Sequence, residues 1–310
     1  MRWSGPDPSS VRLPGPWSHR NVSANGIRLH VAECDGGGPL VVLLHGFPEF
    51  WWSWRHQITA LAERGYRVVA PDLRGYGDSD KPPRGYDLWT LAGDVAGLVR
   101  ALGEPRAHLV GHSFGGIVAW TVTALHPRLV RTLTAIAAPH PLAVRSAVVR
   151  DTYGQGRASA SYALGFQLPR WPERSLRADG GARVERIMRA WAGPAWADSA
   201  DFADAVARYR EAMQVPGTVH CAMEYYRWVL RSQFRAEGRR FVATVEREPT
   251  VPVLQVHGSL DPCLLVDTAV AAKRWAGPDQ CLRVMTTVGH FPHEECPTET
   301  NELLAQGLSR

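Results

Sequence analysis

Gly111-His-Ser-Phe-Gly115 reads G-x-S-x-G, and a serine between two glycines can act as a nucleophile only if the backbone exposes its hydroxyl. A sharp strand-to-helix turn does this. The glycines let neighbouring backbone pack closely, and the serine comes to rest at a helix N-terminus, where the dipole favours developing negative charge. The flanking pattern supplies both elements, a strand over Ala107 to Val110 and a helix over Phe114 to Leu125. Taken out of that context, the same residues would be a glycine-rich turn capped by Ser113.

A serine hydroxyl is a weak nucleophile at its free pKa and needs a base, which needs an orienting acid. The order expected with this turn is Ser, then Asp or Glu, then His. Asp261 in His257-Gly-Ser-Leu-Asp-Pro262 and His290 in Val288-Gly-His-Phe-Pro292 satisfy it, each following a strand-like run. The plainer alternatives are an Asp-Pro turn and a Gly-His loop. His293 competes as base, and Glu294 and Glu295 compete weakly as acid because they follow the histidine. An acyl-transfer oxyanion would be held by the N–H groups of Phe114, after the nucleophile, and Phe47, after the apolar run Leu40 to Leu44. Pro48 could fix that loop in either peptide isomer.

The elements that must position these residues alternate. The Asn25-Gly26 turn within Val22 to Glu33 is a hairpin signal. Leu40 to Leu44 suits a strand buried on both faces. Helical spacing over Trp51 to Arg64, strand over Arg67 to Ala70, helix over Leu88 to Leu102 and strand over Leu129 to Ala137 complete a βα alternation, which implies a parallel sheet with right-handed crossovers. From Pro139 to Arg247 strand patterning stops, while Trp, Tyr, Arg and Ala recur at helical spacings. Alternation resumes at Val251 to His257 and ends in a helix near Thr298 to Leu308. The Pro- and Gly-rich start, up to about residue 17, reads as a loose arm.

Composition narrows the function. With 310 residues, 45% apolar and 21% charged, the chain can bury enough surface to offset its ordering entropy. The five cysteines, Cys34, Cys221, Cys263, Cys281 and Cys296, show no metal spacing, so reduced thiols in a cytoplasmic protein are expected, with no metal and no cofactor. The net charge of +5 comes from scattered arginines rather than a clustered patch, which argues against nucleic acid as a partner. Neither a signal peptide nor a membrane span is supported. A small molecule is the expected partner, and the oligomeric state is left open between monomer and homodimer.

These residues resemble the α/β-hydrolase superfamily, and within it the epoxide-hydrolase-like branch, from about His30 to Leu308. His45-Gly-Phe-Pro-Glu49, Trp54-Arg-His-Gln57 and Asp72-Leu-Arg-Gly-Tyr-Gly-Asp-Ser79 are similar to that branch's oxyanion loop and the strand and loop that follow. The resemblance implies an α/β-hydrolase fold, with a mostly parallel eight-stranded sheet, helices on both faces, a core of residues 1–138 and 248–310, and a helical lid of residues 139–247. It implies that Tyr162 and Tyr226 are the lid pair that binds a substrate oxygen. One departure dominates. The branch carries Asp in Gly-His-Asp-Trp-Gly-Gly, whereas this chain reads Gly111-His-Ser-Phe-Gly-Gly116. The expected activity is therefore ester or lactone hydrolysis through an acyl-serine. The alternatives are an epoxide hydrolase by ancestry, with a natural or introduced Ser, and a ligand receptor that does not turn over.

Overall fold

The computed structural model describes residues 5–310. Strands β1 (Ser18–Ala24) and β2 (Ile27–Asp35) form the hairpin around Asn25-Gly26, where both turn residues take positive φ, as a two-residue hairpin turn demands. Then come β3 (Leu40–Leu44), α1 (Arg55–Ala62), β4 (Arg67–Pro71), α2 (Leu88–Ala101), β5 (Ala107–His112), α3 (Ser113–Leu125) and β6 (Val130–Ile136). The sheet closes with β7 (Val253–Gly258) and β8 (Gln280–Met285), separated by α12 (Val266–Ala271), and the chain ends with α13 (Pro292–Glu295) and α14 (Pro297–Leu308).

The eight strands lie in the order β1-β2-β4-β3-β5-β6-β7-β8. β2 pairs antiparallel with both its neighbours and every other pair is parallel. All five residues of β3 are wholly buried, which explains why its sequence is a continuous apolar run. From β3 the chain crosses to β4 on one side and returns to β5 on the other. The crevice beyond the C-terminal ends of β3 and β5 is thus a topological switch point, where open α/β sheets place their sites.

Between β6 and β7 every regular element among the described residues is helical: α4 (Pro141–Arg150), a π turn at Thr152–Gly156, α5 (Arg157–Ala163), α6 (Trp171–Arg177), α7 (Ala182–Trp191), α8 (Pro194–Ala197), α9 (Ala200–Gln214), α10 (Thr218–Ser232) and α11 (Ala236–Val245), with short 3-10 turns between them. The N-terminal arm differs from its expectation. Residues 1–4 lie outside the described residues, but Pro8–Val11 is a 3-10 turn with Val11 buried. The Trp51 indole donates to Val11 O at 2.8 Å, and Trp17 packs edge-on against Trp51 and Trp52. Burial of Val11 and the packing of half-buried Trp17 outweigh the looseness that Pro and Gly suggested.

Candidate active site

Ser113 is the first residue of α3 and has φ of +49°, a left-handed conformation that a non-glycine residue holds only when its surroundings enforce it. Gly115 is one enforcing contact, since a Cβ there would strike the carbonyl oxygens of Leu44 and His45. A Cβ on Gly46 would come within 2.9 Å of Ser113 Cβ and 3.0 Å of His112 Nδ1. The loop after β3 is therefore pressed directly against the turn after β5.

The structure brings Ser113, His290 and Asp261 together from three strand ends. Ser113 Oγ lies 3.0 Å from His290 Nε2, and His290 Nδ1 lies 2.7 Å from Asp261 Oδ2. With Nδ1–H donating to the carboxylate, Nε2 is free to accept the serine proton. Asp261 Oδ1 accepts the Cys263 and Leu264 N–H groups at 2.8 and 3.0 Å. Burial pushes the Asp261 carboxyl up, but His290 and these hydrogen bonds hold it below its ordinary value. His257, 3.6 Å from Asp261 Oδ2, donates Nε2–H to Leu264 O, which leaves it no role toward the serine.

The two expected oxyanion donors lie on the facing loops. Phe114 is the second residue of α3, so its N–H is one of the helix's unpaired first-turn donors. Phe47 precedes Pro48 across a cis peptide bond. Its ring, which is buried, meets Phe166, Trp191 and Tyr226 at 5.6, 6.4 and 5.7 Å. Tyr226 also packs on Phe114 at 5.5 Å and on Tyr162 at 6.2 Å. Tyr226 therefore packs on both Phe47 and Phe114, and Tyr162 lies behind it against Tyr226, Phe166 and Trp191. Burial raises both phenols above their ordinary pKa, so each is a neutral O–H donor at physiological pH.

The competing groups are occupied elsewhere. His293 is buried 3.3 Å from Glu49, and burial with the neighbouring His112 lowers it to about 4. Glu294 binds Arg55 and Tyr209 at 2.6 and 2.7 Å. Glu295 accepts backbone N–H groups only.

Sequence reasoning passed over the pair formed by Glu49 and His112. His112 Nδ1 sits 2.8 Å from Glu49 Oε2, and its Nε2 sits 2.8 Å from His290 O. Both partners only accept, so both ring nitrogens carry protons and His112 is a cation. Burial opposes that charge, yet Glu49 raises the imidazole above its ordinary value, and His112 in turn holds Glu49 well below. Glu49 also accepts the Gly46 N–H at 2.8 Å, so the pair braces the loop after β3 and the His290 backbone together. The available signal was the position of both residues inside quoted motifs.

Two buried donor sets have the reach of a metal site, Glu49 with His112 and His293, and Asp261 with Cys263 and His290. Both nitrogens of His112 and of His290 are already hydrogen-bonded, so either could ligate only by giving up a bond that shapes the site.

Residues 39–297 match the model of the alpha/beta hydrolase fold family. The chain belongs to this family. It is 37% identical to the AB hydrolase superfamily protein YfhM of Bacillus subtilis over 93% of this chain and 96% of that one. Epoxide hydrolase A of Mycobacterium tuberculosis is 32% identical over 95% of this chain and 98% of its own. The crystal structure of epoxide hydrolase A from Mycobacterium thermoresistibile superposes with a TM-score of 0.80 at 31% identity, covering 94% of this chain and 98% of that one. The protein is an α/β-hydrolase, and no helix among its described residues is long and apolar enough to cross a membrane.

Proposed function

We propose that this hydrolase cleaves an apolar ester or lactone through an acyl-enzyme on Ser113. The observation that carries the reading is the chain of hydrogen bonds from Ser113 Oγ through His290 to Asp261, at 3.0 and 2.7 Å. As Oγ attacks the carbonyl carbon, its proton passes to His290 Nε2, and Asp261 stabilises the imidazolium that forms. The Phe47 and Phe114 N–H groups would hold the oxyanion. His290 then returns the proton to the leaving alcohol, and water activated by the same imidazole releases the acid. The helices between residues 139 and 247 act as a lid whose aromatic side chains select an apolar substrate.

A second reading is epoxide hydrolysis, favoured by Tyr226 packing on Phe47 and Phe114 with Tyr162 against it and by the names of the relatives. Chemistry separates the two. A carboxylate that opens an epoxide forms an ester that water can hydrolyse, whereas a serine forms an ether with no carbonyl to attack. Epoxide turnover through Ser113 would stop after one event. The test is intact-mass spectrometry after a fluorophosphonate probe, with ester and epoxide panels on wild type, Ser113→Ala and Ser113→Asp. The expected result is one adduct, at Ser113, with ester turnover in wild type lost by about 10⁴-fold or more in Ser113→Ala. Ser113→Asp should gain epoxide turnover. Many cycles of diol release by both wild type and Ser113→Ala would overturn the covalent mechanism.

A further inference from the structure

One carboxylate holds the N–H groups of the residues on both sides of His290. Glu295 Oε1 accepts the Phe291 N–H at 3.0 Å, and Oε2 accepts the Gly289 N–H at 2.8 Å. The same Oε2 accepts the Gly193 N–H at 2.9 Å, which belongs to the connection between α7 and α8 in the helical stretch. A parallel link runs beside it, because the His290 N–H donates to Trp191 O at 2.8 Å. The packing is close enough that a Cβ on Gly289 would strike Trp191 O. Trp191 itself meets the His290 imidazole edge-on at 5.4 Å, and its other ring neighbours are Tyr162 at 5.6 Å and Phe47 at 6.4 Å. Residues 191–193 therefore do two things at once: they carry an aromatic wall beside the imidazole, and they share a carboxylate with the loop that bears it.

We propose that Glu295 is a positioning residue for hydrolysis, fixing the Gly289 and Phe291 N–H groups on either side of His290 and tying them to the Trp191–Gly193 segment, so that a substrate seated against Trp191 acts on the imidazole. This rests on the reading of His290 as general base. Hydrogen bonds to an ionised acceptor are shorter and stronger than neutral ones, and three converging N–H donors leave a neutral replacement poorly matched. A glutamine offers one carbonyl oxygen, and its NH2 group faces at least one of those donors. Alanine offers nothing.

The test compares Glu295→Ala, Glu295→Gln and wild type with p-nitrophenyl butyrate and a fluorophosphonate. The expected result for Glu295→Ala is a fall in kcat of roughly 10- to 100-fold, the scale of a small misplacement of a catalytic group, with KM changed less than kcat. Fluorophosphonate should still label every site, at a correspondingly lower rate. Glu295→Gln should fall between, and amide exchange at Gly193, Gly289 and Phe291 should quicken in both variants. Wild-type kcat and labelling rate in Glu295→Ala would overturn the proposal. So would activity lost only in proportion to the fraction of sites that label, since that marks a purely structural role. Failure of the base reading looks different, because His290→Ala would then keep ester turnover whatever happens at position 295.

Discussion

Ser113 sits in a conformation that costs a non-glycine residue on the order of 1–3 kcal/mol, so the surrounding contacts must make every alternative worse. Gly46 and Gly115 do so by backbone approach that no larger residue permits. The same economy of choices holds at Asp261, whose two oxygens are divided between the imidazole and two backbone N–H groups. Asparagine there would turn either its oxygen or its NH2 group toward His290, and the backbone donors compete for the oxygen. Asp261→Asn is therefore expected to favour the wrong imidazole tautomer and to lower kcat by roughly 10⁴-fold with little change in fold, by analogy with other triads. Steady-state kinetics with circular dichroism checks this, and a loss below about tenfold would remove Asp261 from its role. The convergence of Ser113, Asp261 and His290 was legible because motif and chain order constrain them. Glu49, His112 and Glu295 were not, because their roles arise from contacts that no spacing rule encodes. Glu49 meets a histidine 63 positions away, and Glu295 meets an amide 102 positions away.

At the scale of elements, strand boundaries followed the sequence closely where the central parallel strands β3, β5 and β7 are buried on both faces and their sequences run mostly apolar, whereas the edge strand β8 is half exposed. The helices from α4 to α11 were legible as lost strand pattern and recurring helical spacings, but not in their bounds or packing, since periodicity shows which face is apolar and not what that face meets. The N-terminal arm was misread for the same reason. One junction makes a measurable prediction. His140 caps α4, its Nδ1 accepting the Leu142 N–H at 3.2 Å, while its ring packs between Trp120 and Trp275. Burial lowers it from the ordinary 6.5 to about 3, and protonation would remove the cap acceptor. The unfolded chain takes up this proton first, so the contribution is complete above about pH 6.5 and is lost as pH falls toward 3. The slope is at most about 1.4 kcal/mol per pH unit. His140→Asn keeps a cap acceptor and removes the titration, so urea midpoints at pH 7 and pH 5 should differ less in the variant than in wild type. An unchanged difference would show that His140 already titrates normally.

Across the whole molecule, one buried arginine joins segments far apart in sequence. Arg55 on α1 reaches Glu294 on α13 at 2.6 Å and Asp201 on α9 at 2.8 Å, and Tyr209 on α9 donates to the same Glu294 oxygen at 2.7 Å. Core and helical stretch thus share a charge network in which Glu294 is wholly buried and Arg55 nearly so. Removing one member of such a pair strands the other's charge away from water, which typically costs about 3–5 kcal/mol. Burial raises the Glu294 carboxyl to about 7 against the pull of Arg55, so Arg55→Met should approach that range only above about pH 8, where Glu294 is ionised and keeps only the Tyr209 hydroxyl. Glu294→Gln should cost less, because Arg55 keeps Asp201. The double variant should be destabilised by less than the sum of the two single changes, with a coupling of about 0.5–3 kcal/mol, because the second substitution removes the charge that the first one stranded. If the network makes core and helical stretch one cooperative unit, wild type unfolds in urea in a single transition seen alike by tryptophan fluorescence and far-ultraviolet circular dichroism. Additive single and double variants, or two separated transitions in wild type, would mean that the two parts hold together without this network.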